Sequence, residues 1–197
     1  MVQERTSAGR PEATSHAAIE QAAFRLFAAR GFEATTIDAI AAEVGVSRRT
    51  LFRYFPSKND IPWGQFDRTV AGLREILAAL PEEMPLAEAV GRALVRFNEF
   101  PPDASPSHRE RMRLILQTPA LQAHSVLRYA QWRAVIAEYA AGRLGLEPHD
   151  LEPQLVGQVS LSLSMVAYAA WLRDPEADLT GLIERAVRGL QDYARPD

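Results

Sequence analysis

The chain has 197 residues, 47% of them hydrophobic and 24% charged, which is typical of a globular protein with room for a small module and a medium-sized domain. It contains no cysteine, which excludes disulfide bonds, thiolate nucleophiles and cysteine-based metal sites. The net charge of −3 hides a basic stretch between Gly45 and Lys58, where four positive charges occur with no negative one. A local basic patch on an acidic chain indicates contact with a polyanion at one place.

The N-terminal segment and the longest apolar run both argue against a membrane protein. Residues 1–14 are mostly polar and predict a flexible arm rather than a signal sequence. A membrane span needs roughly 18 uninterrupted apolar residues, and the longest candidate, residues 156–172, is interrupted by Gln158, three serines and Tyr168. We therefore expect a soluble, cytoplasmic protein without membrane contact, which the lack of cysteine also favours.

The first three predicted helices are closely spaced. Apolar residues at helical spacing predict a helix over about residues 15–31. Thr36 is suited to cap a second helix that stops at Gly45, and Ser47 is suited to cap a third that Pro56 closes. The apolar stripes of the first two helices are Ile19, Ala22, Ala23, Leu26 and Phe27, and Ile37, Ile40, Ala41 and Val44.

A fourth, longer helix is predicted to begin at Ser57, because apolar residues recur from Phe66 to Leu80 at steps of four and three. Pro62 falls within its first turn, where we expect it not to break the helix. Further helices are predicted at about residues 86–98, 107–116, 119–144, 153–172 and 179–193. The predicted fold class is therefore all-α, with about nine helices.

The second and third predicted helices are joined by the tripeptide GVS at residues 45–47, a connection short enough for a helix-turn-helix motif. Its glycine tolerates the positive φ that such a turn requires. The third helix pairs Arg48 with Phe52, and Arg49 with Arg53, one turn apart. A short helix with arginines suits the major groove, because an arginine fork matches guanine O6 and N7. The alternative is a solvated basic face on a core helix, which the glycine turn and both caps disfavour.

Lys58 is the only lysine in a chain with 21 arginines, and it follows the predicted start of the fourth helix. Exposed backbone N–H groups at a helix start favour an anion, so we expect Lys58 to bind a DNA phosphate. The alternative is an ordinary surface lysine. Tyr54 and the region of Thr36 are expected to add phosphate contacts. The residues predicted to contact DNA are Thr36, Asp38, Ser47, Arg48, Arg49, Thr50, Phe52, Arg53, Tyr54 and Lys58.

The run FRLFAARGFEATTIDAIAAEVGVSRRTLFRYFPSKNDI resembles the DNA-binding domain of the tetracycline-repressor (TetR) family. The shared features are the apolar first helix, the Gly-Phe exit, the Thr-Thr pair, the GVS turn and the T-L-[FY]-x-Y-F core. The resemblance implies a flexible arm at 1–14, a helix-turn-helix domain at 15–58 and a ligand-binding and dimerisation domain at 59–197. The family often has tyrosine where this chain has Phe52, so we expect apolar contact there in place of a phosphate hydrogen bond. Asp38 is expected to bond base donors or to cap its helix.

Longer segments, among them RERMRLILQTPALQAHSVLRYAQWRAVIAEY, are similar to regulators found with mycofactocin biosynthesis genes. That similarity implies a repressor that binds a palindromic double-stranded operator and is released by a long-chain acyl-CoA. The alternative is a regulator of an efflux or catabolic operon that responds to an uncharged hydrophobic compound. A purely architectural DNA-binding protein without a ligand is a further alternative, which the aromatic-rich second part of the chain disfavours.

An enzyme is disfavoured by the pattern of reactive residues. The four histidines, His16, His108, His124 and His149, are far apart and show no metal-ligand spacing. The sequence contains no nucleophile elbow and no glycine loop of the kind that binds phosphates. We therefore expect no catalytic residue, no metal site and no cofactor.

Aromatic and methionine side chains are frequent in the middle of the chain, where they fit either an ordinary helical core or an apolar ligand pocket with a few polar tips. Arg109 and Arg113 share one predicted helix face and could meet a phosphorylated headgroup, the alternative being a solvated face. The residues predicted to bind ligand are Trp63, Phe66, Phe97, Arg109, Met112, Arg113, Leu116 and Trp132.

The last two predicted helices suit association of two copies. The segment VGQVSLSLSMVAYAAWL is apolar on nearly all sides and rich in small residues, so it should be buried on more than one face. A twofold copy can cover one face and form a four-helix interface. The residues predicted at this homodimer interface are Val159, Leu163, Val166, Ala170, Ala186 and Leu190.

Overall fold

The computed structural model describes residues 14–101 and 103–194, and in these ranges the chain forms nine α-helices and no strand, which confirms the all-α prediction. A short 3₁₀ helix, Lys58–Trp63, lies between the third and fourth α-helices. The α-helices are α1 (His16–Arg30), α2 (Ile37–Glu43), α3 (Arg48–Tyr54), α4 (Phe66–Ala78), α5 (Leu86–Phe97), α6 (His108–Gln117), α7 (Pro119–Leu144), α8 (Leu151–Arg173) and α9 (Leu179–Tyr193).

The chain divides into two compact units, Met1–Gly64 and Gln65–Asp197. The first unit contains α1 to α3 and the 3₁₀ helix, and the second contains α4 to α9. The sequence placed the domain boundary after residue 58, and the 3₁₀ helix that begins there packs against α1. The predicted arm, except Thr14, lies outside the described residues.

The predicted fourth helix is wrong at its start, because α4 begins at Phe66 and not at Ser57. The 3₁₀ helix occupies the intervening residues and ends at Gly64, whose φ of 58° and ψ of −139° are open to glycine and strained for other residues. Pro62 lies inside the 3₁₀ helix and has no N–H to continue an α-helical ladder. Proline and glycine together therefore separate Lys58 from α4.

The core of the first unit is built by helices that are capped from their own sequence. Ser15, Thr36 and Ser47 each accept a hydrogen bond from the backbone N–H three residues later, at 3.1 Å in all three cases. The apolar stripe predicted for α1 is buried, as are Ile40 and Ala41 of α2 and Leu51 of α3, whereas Ile37 and Val44 are half-buried. The most deeply buried side chains are Ile19, Ile40, Leu51, Phe55 and Ile61.

The second unit is a helical bundle in which α7 and α8 pack along each other and α9 folds back on α8. Gly157 allows a close approach between α7 and α8, because a Cβ atom at this position would lie 2.8 Å from the carbonyl oxygen of Arg133. The small residues of α8 thus serve contacts inside the chain, and Ser160 and Ser164 are also buried there. Their hydroxyl groups donate to the carbonyls of Val156 and Ser160 respectively.

Helix α8 is long and apolar enough to cross a membrane by length and composition, with a mean hydropathy of 1.5 in its most apolar window. A core helix of a bundle has the same properties. In this chain α8 contacts α5, α6, α7 and α9, and 33% of its most apolar window is buried.

Candidate DNA-binding surface and ligand cavities

The turn between α2 and α3 has the geometry of a helix-turn-helix connection. Gly45 adopts a φ of 69°, and the N–H of Val46 donates to the carbonyl of Ala41 at 2.9 Å, closing α2. Ser47 then caps α3, and its hydroxyl also contacts that of Thr50 at 2.9 Å. The turn therefore fixes where α3 begins.

Arg48 is held by neighbours within the first unit. Its guanidinium donates to Asp38 Oδ2 at 3.1 Å, in an exposed ion pair that joins α3 to α2. The same group lies 5.3 Å from the ring centre of Phe52, which is 38% exposed. Arg48 and Asp38, both predicted to contact DNA, thus contact each other in this structure.

Arg49 and Arg53 lie on exposed positions of α3, one turn apart. Among the described residues neither side chain has a hydrogen-bond or ion-pair partner. Each guanidinium has five N–H donors. These donors face solvent on α3, the helix that follows the turn. This pair can bind phosphate or base acceptors without first giving up a hydrogen bond or ion pair to any described residue.

Two predicted phosphate contacts already make hydrogen bonds within the first unit. The Tyr54 hydroxyl donates to the carbonyl of Thr14 at 2.8 Å, and the Tyr54 ring meets the edge of His16 with ring centres 4.9 Å apart. Thr36 caps α2 through its hydroxyl oxygen. These side chains fix the start of α1 and the start of α2, and their DNA contacts stay predictions.

The ammonium group of Lys58 lies over the turn between α1 and α2. Its Nζ donates to the carbonyls of Phe32 at 2.8 Å, Thr35 at 3.0 Å and Glu33 at 3.4 Å. It also lies 4.3 Å from the ring centre of Phe32. An ammonium has three N–H donors, so a phosphate contact, as predicted from the sequence, would replace one of these bonds.

The residues predicted to bind ligand are divided between the two units. Trp63 belongs to the 3₁₀ helix of the first unit. In the second unit Phe66, Met112 and Trp132 are buried, and the rings of Phe97 and Trp132 lie 6.0 Å apart. Leu116 borders a different cavity of about 510 Å³, lined by Leu116, Gln117, Gln122, Tyr129, Met165, Ala169, Leu172 and Arg173.

Arg109 is used to close the end of α8. Its guanidinium donates to the carbonyls of Trp171 at 2.6 Å, Asp174 at 2.9 Å and Ala177 at 3.3 Å, and stacks 4.2 Å from the Trp171 ring centre. The carbonyls at a helix end lack partners inside the helix, which arginine donors supply. Arg113, predicted to act with Arg109, is exposed on the surface of α6.

A buried chain of polar side chains in the second unit was not predicted. Asn98, at the end of α5, and Tyr168, on α8, are buried, and His108 begins α6. The Tyr168 hydroxyl donates to Asn98 Oδ1 and lies 2.9 Å from His108 Nε2. Burial lowers the pKa of His108 to about 3, with help from the charge of Arg111, and burial raises the pKa of Tyr168.

The polar chain borders a cavity of about 440 Å³ at the ends of α5 and α8 and the starts of α6 and α9. Phe100 stacks on the His108 ring with the ring centres 3.6 Å apart. The cavity is lined by Asn98, Glu99, Phe100, Pro101, Ser107, His108, Arg109, Trp171, Ala177, Asp178, Leu179 and Thr180. In the described part of the chain, no group of three or more histidine and acidic residues could hold a metal ion.

The residues predicted at a dimer interface fall into two sets. Val159, Leu163 and Leu190 line an apolar groove of about 380 Å³ between α5, α8 and α9. Val166 lies on the outer face of α8 and is 65% exposed, whereas Ala170 and Ala186 are half-buried. Val166 is therefore the member of the set that most clearly faces away from its own chain.

Comparison with known proteins gives two matching family models and a similar curated relative. The model described as "Bacterial regulatory proteins, tetR family" matches residues 19–61, and "MftR C-terminal domain" matches residues 84–194. The relative is the mycofactocin biosynthesis transcriptional regulator MftR of Mycobacterium tuberculosis, 45% identical over 172 residues that cover 87% of each chain.

Two solved structures illustrate how widely the fold is shared. FadR of Thermus thermophilus, a repressor in complex with lauroyl-CoA, is 23% identical with a TM-score of 0.61, covering 93% of this chain and 96% of that one. SmeT, the repressor of a Stenotrophomonas maltophilia multidrug efflux pump, is 17% identical with a TM-score of 0.62, covering 91% and 90%. The helix-turn-helix geometry, the family models and the relative agree: this chain belongs to the TetR family of transcriptional regulators and carries an MftR-type C-terminal domain.

Proposed function

We propose that this regulator is a cytoplasmic repressor that binds a palindromic operator as a homodimer and leaves it when an apolar ligand binds. The observation that carries the DNA-binding part is the pair Arg49 and Arg53, exposed on a capped recognition helix and without a partner among the described residues. A bidentate arginine–guanine contact discriminates between bases by about 1–3 kcal/mol. Two such helices on a twofold axis read half-sites about 34–36 Å apart.

The dimer is proposed to form through α8 and α9. Three exposed positions of α8 carry large apolar side chains, because Leu151, Leu155 and Val166 are 77%, 57% and 65% exposed. On α9, Leu190 and Tyr193 are 38% and 88% exposed. Apolar surface of this extent on adjacent helices favours association. A second copy covers it with the same surface because twofold interfaces are self-complementary.

The ligand is proposed to be a long-chain acyl-CoA whose chain lies among residues of the second unit. Helices α4, α5 and α6 each pack against α7, so their apolar side chains share a neighbour. A structural neighbour, FadR, holds lauroyl-CoA, which supports this ligand class for a protein of the same fold. Each buried methylene contributes on the order of 0.8 kcal/mol. The residues proposed to bind the chain are Phe66, Phe97, Met112, Leu116 and Trp132.

An uncharged hydrophobic compound is the second candidate, because Arg109 already donates to three backbone carbonyls. Of the two arginines predicted to meet a phosphorylated headgroup, Arg113 is then the one left for that contact. The neighbour SmeT, which has the same fold, is the repressor of a multidrug efflux pump. Substitution of Arg113 therefore distinguishes between the acyl-CoA and the uncharged compound.

The test is release of the full-length protein from its operator, titrated separately with palmitoyl-CoA, palmitate and coenzyme A. The acyl-CoA proposal expects release by the thioester at a concentration at least tenfold below that of the acid, and a weaker response in Arg113→Ala. Arg185→Ala, an exposed arginine on α9, is the matched control. Equal potency of thioester and acid would remove the coenzyme A headgroup from the proposal, and no response to either would overturn the acyl-CoA proposal.

A further inference from the structure

The buried polar chain of the second unit has a defined direction of hydrogen bonding. Asn98 Nδ2 donates to the carbonyl of Leu94 at 2.8 Å, which sets the orientation of the amide and leaves Oδ1 as the acceptor. The Tyr168 hydroxyl donates its one proton to that Oδ1. The Tyr168 oxygen must therefore accept from His108 Nε2, which lies 2.9 Å away.

This direction assigns the proton on the histidine ring. A neutral imidazole carries one N–H, and here that N–H is on Nε2 because it donates to Tyr168. Nδ1 is then an acceptor with a lone pair. Burial and the positive charge of Arg111 lower the pKa of His108 to about 3, so the ring is neutral at physiological pH. In the described part of the chain no side chain or backbone group donates to Nδ1.

His108 also belongs to the wall of the cavity of about 440 Å³ described above. Its ring stacks on the ring of Phe100, with the ring centres 3.6 Å apart, and the ring centre of Trp171 lies 5.8 Å away. These rings offer flat apolar contact, while the histidine offers one acceptor. A site of this composition suits a flat apolar compound that carries one hydrogen-bond donor.

The charges around the cavity disfavour an anion. The carboxylates of Glu99 and Asp178 are on its lining. The nearest cation of the lining, Arg109, is occupied by the carbonyls that end α8. The pKa of Asp178 is lowered mainly by the backbone N–H of Gly181 and also by the Thr180 hydroxyl, so this group is ionised at neutral pH. A carboxylate or phosphate entering here would meet two negative charges and one positive charge, that of Arg109, whose guanidinium already donates to carbonyls.

We propose that this cavity binds an uncharged, flat apolar compound through a hydroxyl group that donates a hydrogen bond to His108 Nδ1. The inference rests on the proposed function only in taking the second unit as the ligand-binding part. It adds the chemical class of a ligand for a cavity distinct from the residues proposed to bind the acyl chain. The polar chain has a clear purpose in this arrangement, because it holds the imidazole in one tautomer and one orientation.

The experiment compares three probes that share one ring system and differ in one group: 2-naphthol, 2-methoxynaphthalene and 2-naphthoate. Binding to the full-length protein at pH 7 is measured by calorimetry. A net hydrogen bond of about 1 kcal/mol corresponds to roughly a fivefold preference for naphthol over the ether. The carboxylate should bind more weakly than the ether. The His108→Phe variant should lose the preference for naphthol, while His149→Phe, an exposed histidine outside the cavity, should keep it.

A second readout does not depend on a variant that folds. In protein labelled with ¹⁵N at the histidines, naphthol should shift the Nδ1 resonance of His108 and the ether should leave it in place. Equal affinity for naphthol and ether, tighter binding of naphthoate, or an unmoved His108 resonance would each overturn the proposal. These measurements use no DNA, so they can fail while operator binding and acyl-CoA release succeed, and the reverse also holds.

Discussion

Replacing Lys58 by alanine distinguishes two roles of this side chain: stabilising the first unit and binding a DNA phosphate. In the structure its ammonium donates to the carbonyls of Phe32, Glu33 and Thr35 and lies over the Phe32 ring. Hydrogen bonds from a charged donor are worth about 1.5–3 kcal/mol when well made and partly buried. The side chain is half-buried and one bond is long at 3.4 Å. We therefore expect Lys58→Ala to destabilise the first unit by roughly 2 kcal/mol.

Thermal unfolding followed by circular dichroism measures this loss. For a unit of this size, each 1 kcal/mol lowers Tm by about 4–8 °C. Lys58→Met is the matched control, because it keeps a long apolar stem against Phe32 and removes the three donors. If the hydrogen bonds matter, methionine and alanine should destabilise to a similar extent. If packing on Phe32 dominates, methionine should restore most of the lost stability.

Operator titrations between 50 and 200 mM salt provide the second half of the test. A lysine that binds one phosphate contributes about 0.9 to the slope of log K against log salt. Because the three N–H donors of Lys58 already contact carbonyls, we expect the slope to be unchanged in Lys58→Ala, measured well below its lowered Tm. A slope reduced by about one, together with an unchanged Tm, would refute this reasoning and establish the phosphate contact.

Three further predictions test other parts of the molecule. Arg49→Ala or Arg53→Ala should cost about 1–3 kcal/mol of operator binding and relax base preference; silence of both in a binding titration would contradict the recognition surface. Val166→Glu should place a charge in the proposed dimer interface and yield monomers in light scattering, and a wild-type monomer at micromolar concentration would exclude that interface. Arg109→Ala should destabilise by about 2 kcal/mol in urea unfolding, whereas Arg113→Ala should stay within about 0.5 kcal/mol; similar values for the two would contradict the role of Arg109 at the end of α8.

The helices could be predicted from the sequence because their determinants are local. A capping hydroxyl acts within three residues, as Ser15 and Thr36 do. Apolar spacing also acts within two turns, and the stripe that begins at Phe66 in α4 is buried as its pattern predicts. The resemblance to the TetR family rested on the same local run of residues. Both the fold class and the family are therefore confirmed.

The start of α4 could not be predicted, because two local signals conflict there. Ser57 followed by Lys58 is typical of a helix start, and Pro62 is tolerated in a first turn. Two features prevent the chain from continuing as one helix. Gly64 adopts a positive φ, and Lys58 donates hydrogen bonds to a turn about 25 residues earlier in the chain. That contact has no signature in the neighbouring sequence.

Side-chain partners that are distant in sequence account for the rest of the difference. Helical spacing placed Arg109 and Arg113 on one face and suggested one role for both. Arg109 instead binds carbonyls 62 to 68 residues further along the chain. The polar chain of Asn98 and Tyr168 spans 70 residues in the same way. A pattern of 3.6 residues records which side of a helix a residue occupies, but not which helix faces it.

The three arginines of α3 show how far local spacing reaches. The spacing predicted the neighbour of Arg48 correctly, because its guanidinium lies over Phe52 one turn later. It could not predict Asp38, which comes from α2 and exists as a partner only once the glycine turn has folded. Arg48 must break an exposed ion pair to reach DNA, at a cost of about 0–1 kcal/mol, whereas Arg49 and Arg53 have no such pair among the described residues. Residues identical in chemistry thus differ in availability, and that difference is the reason for placing base recognition on the second and third arginines of the helix.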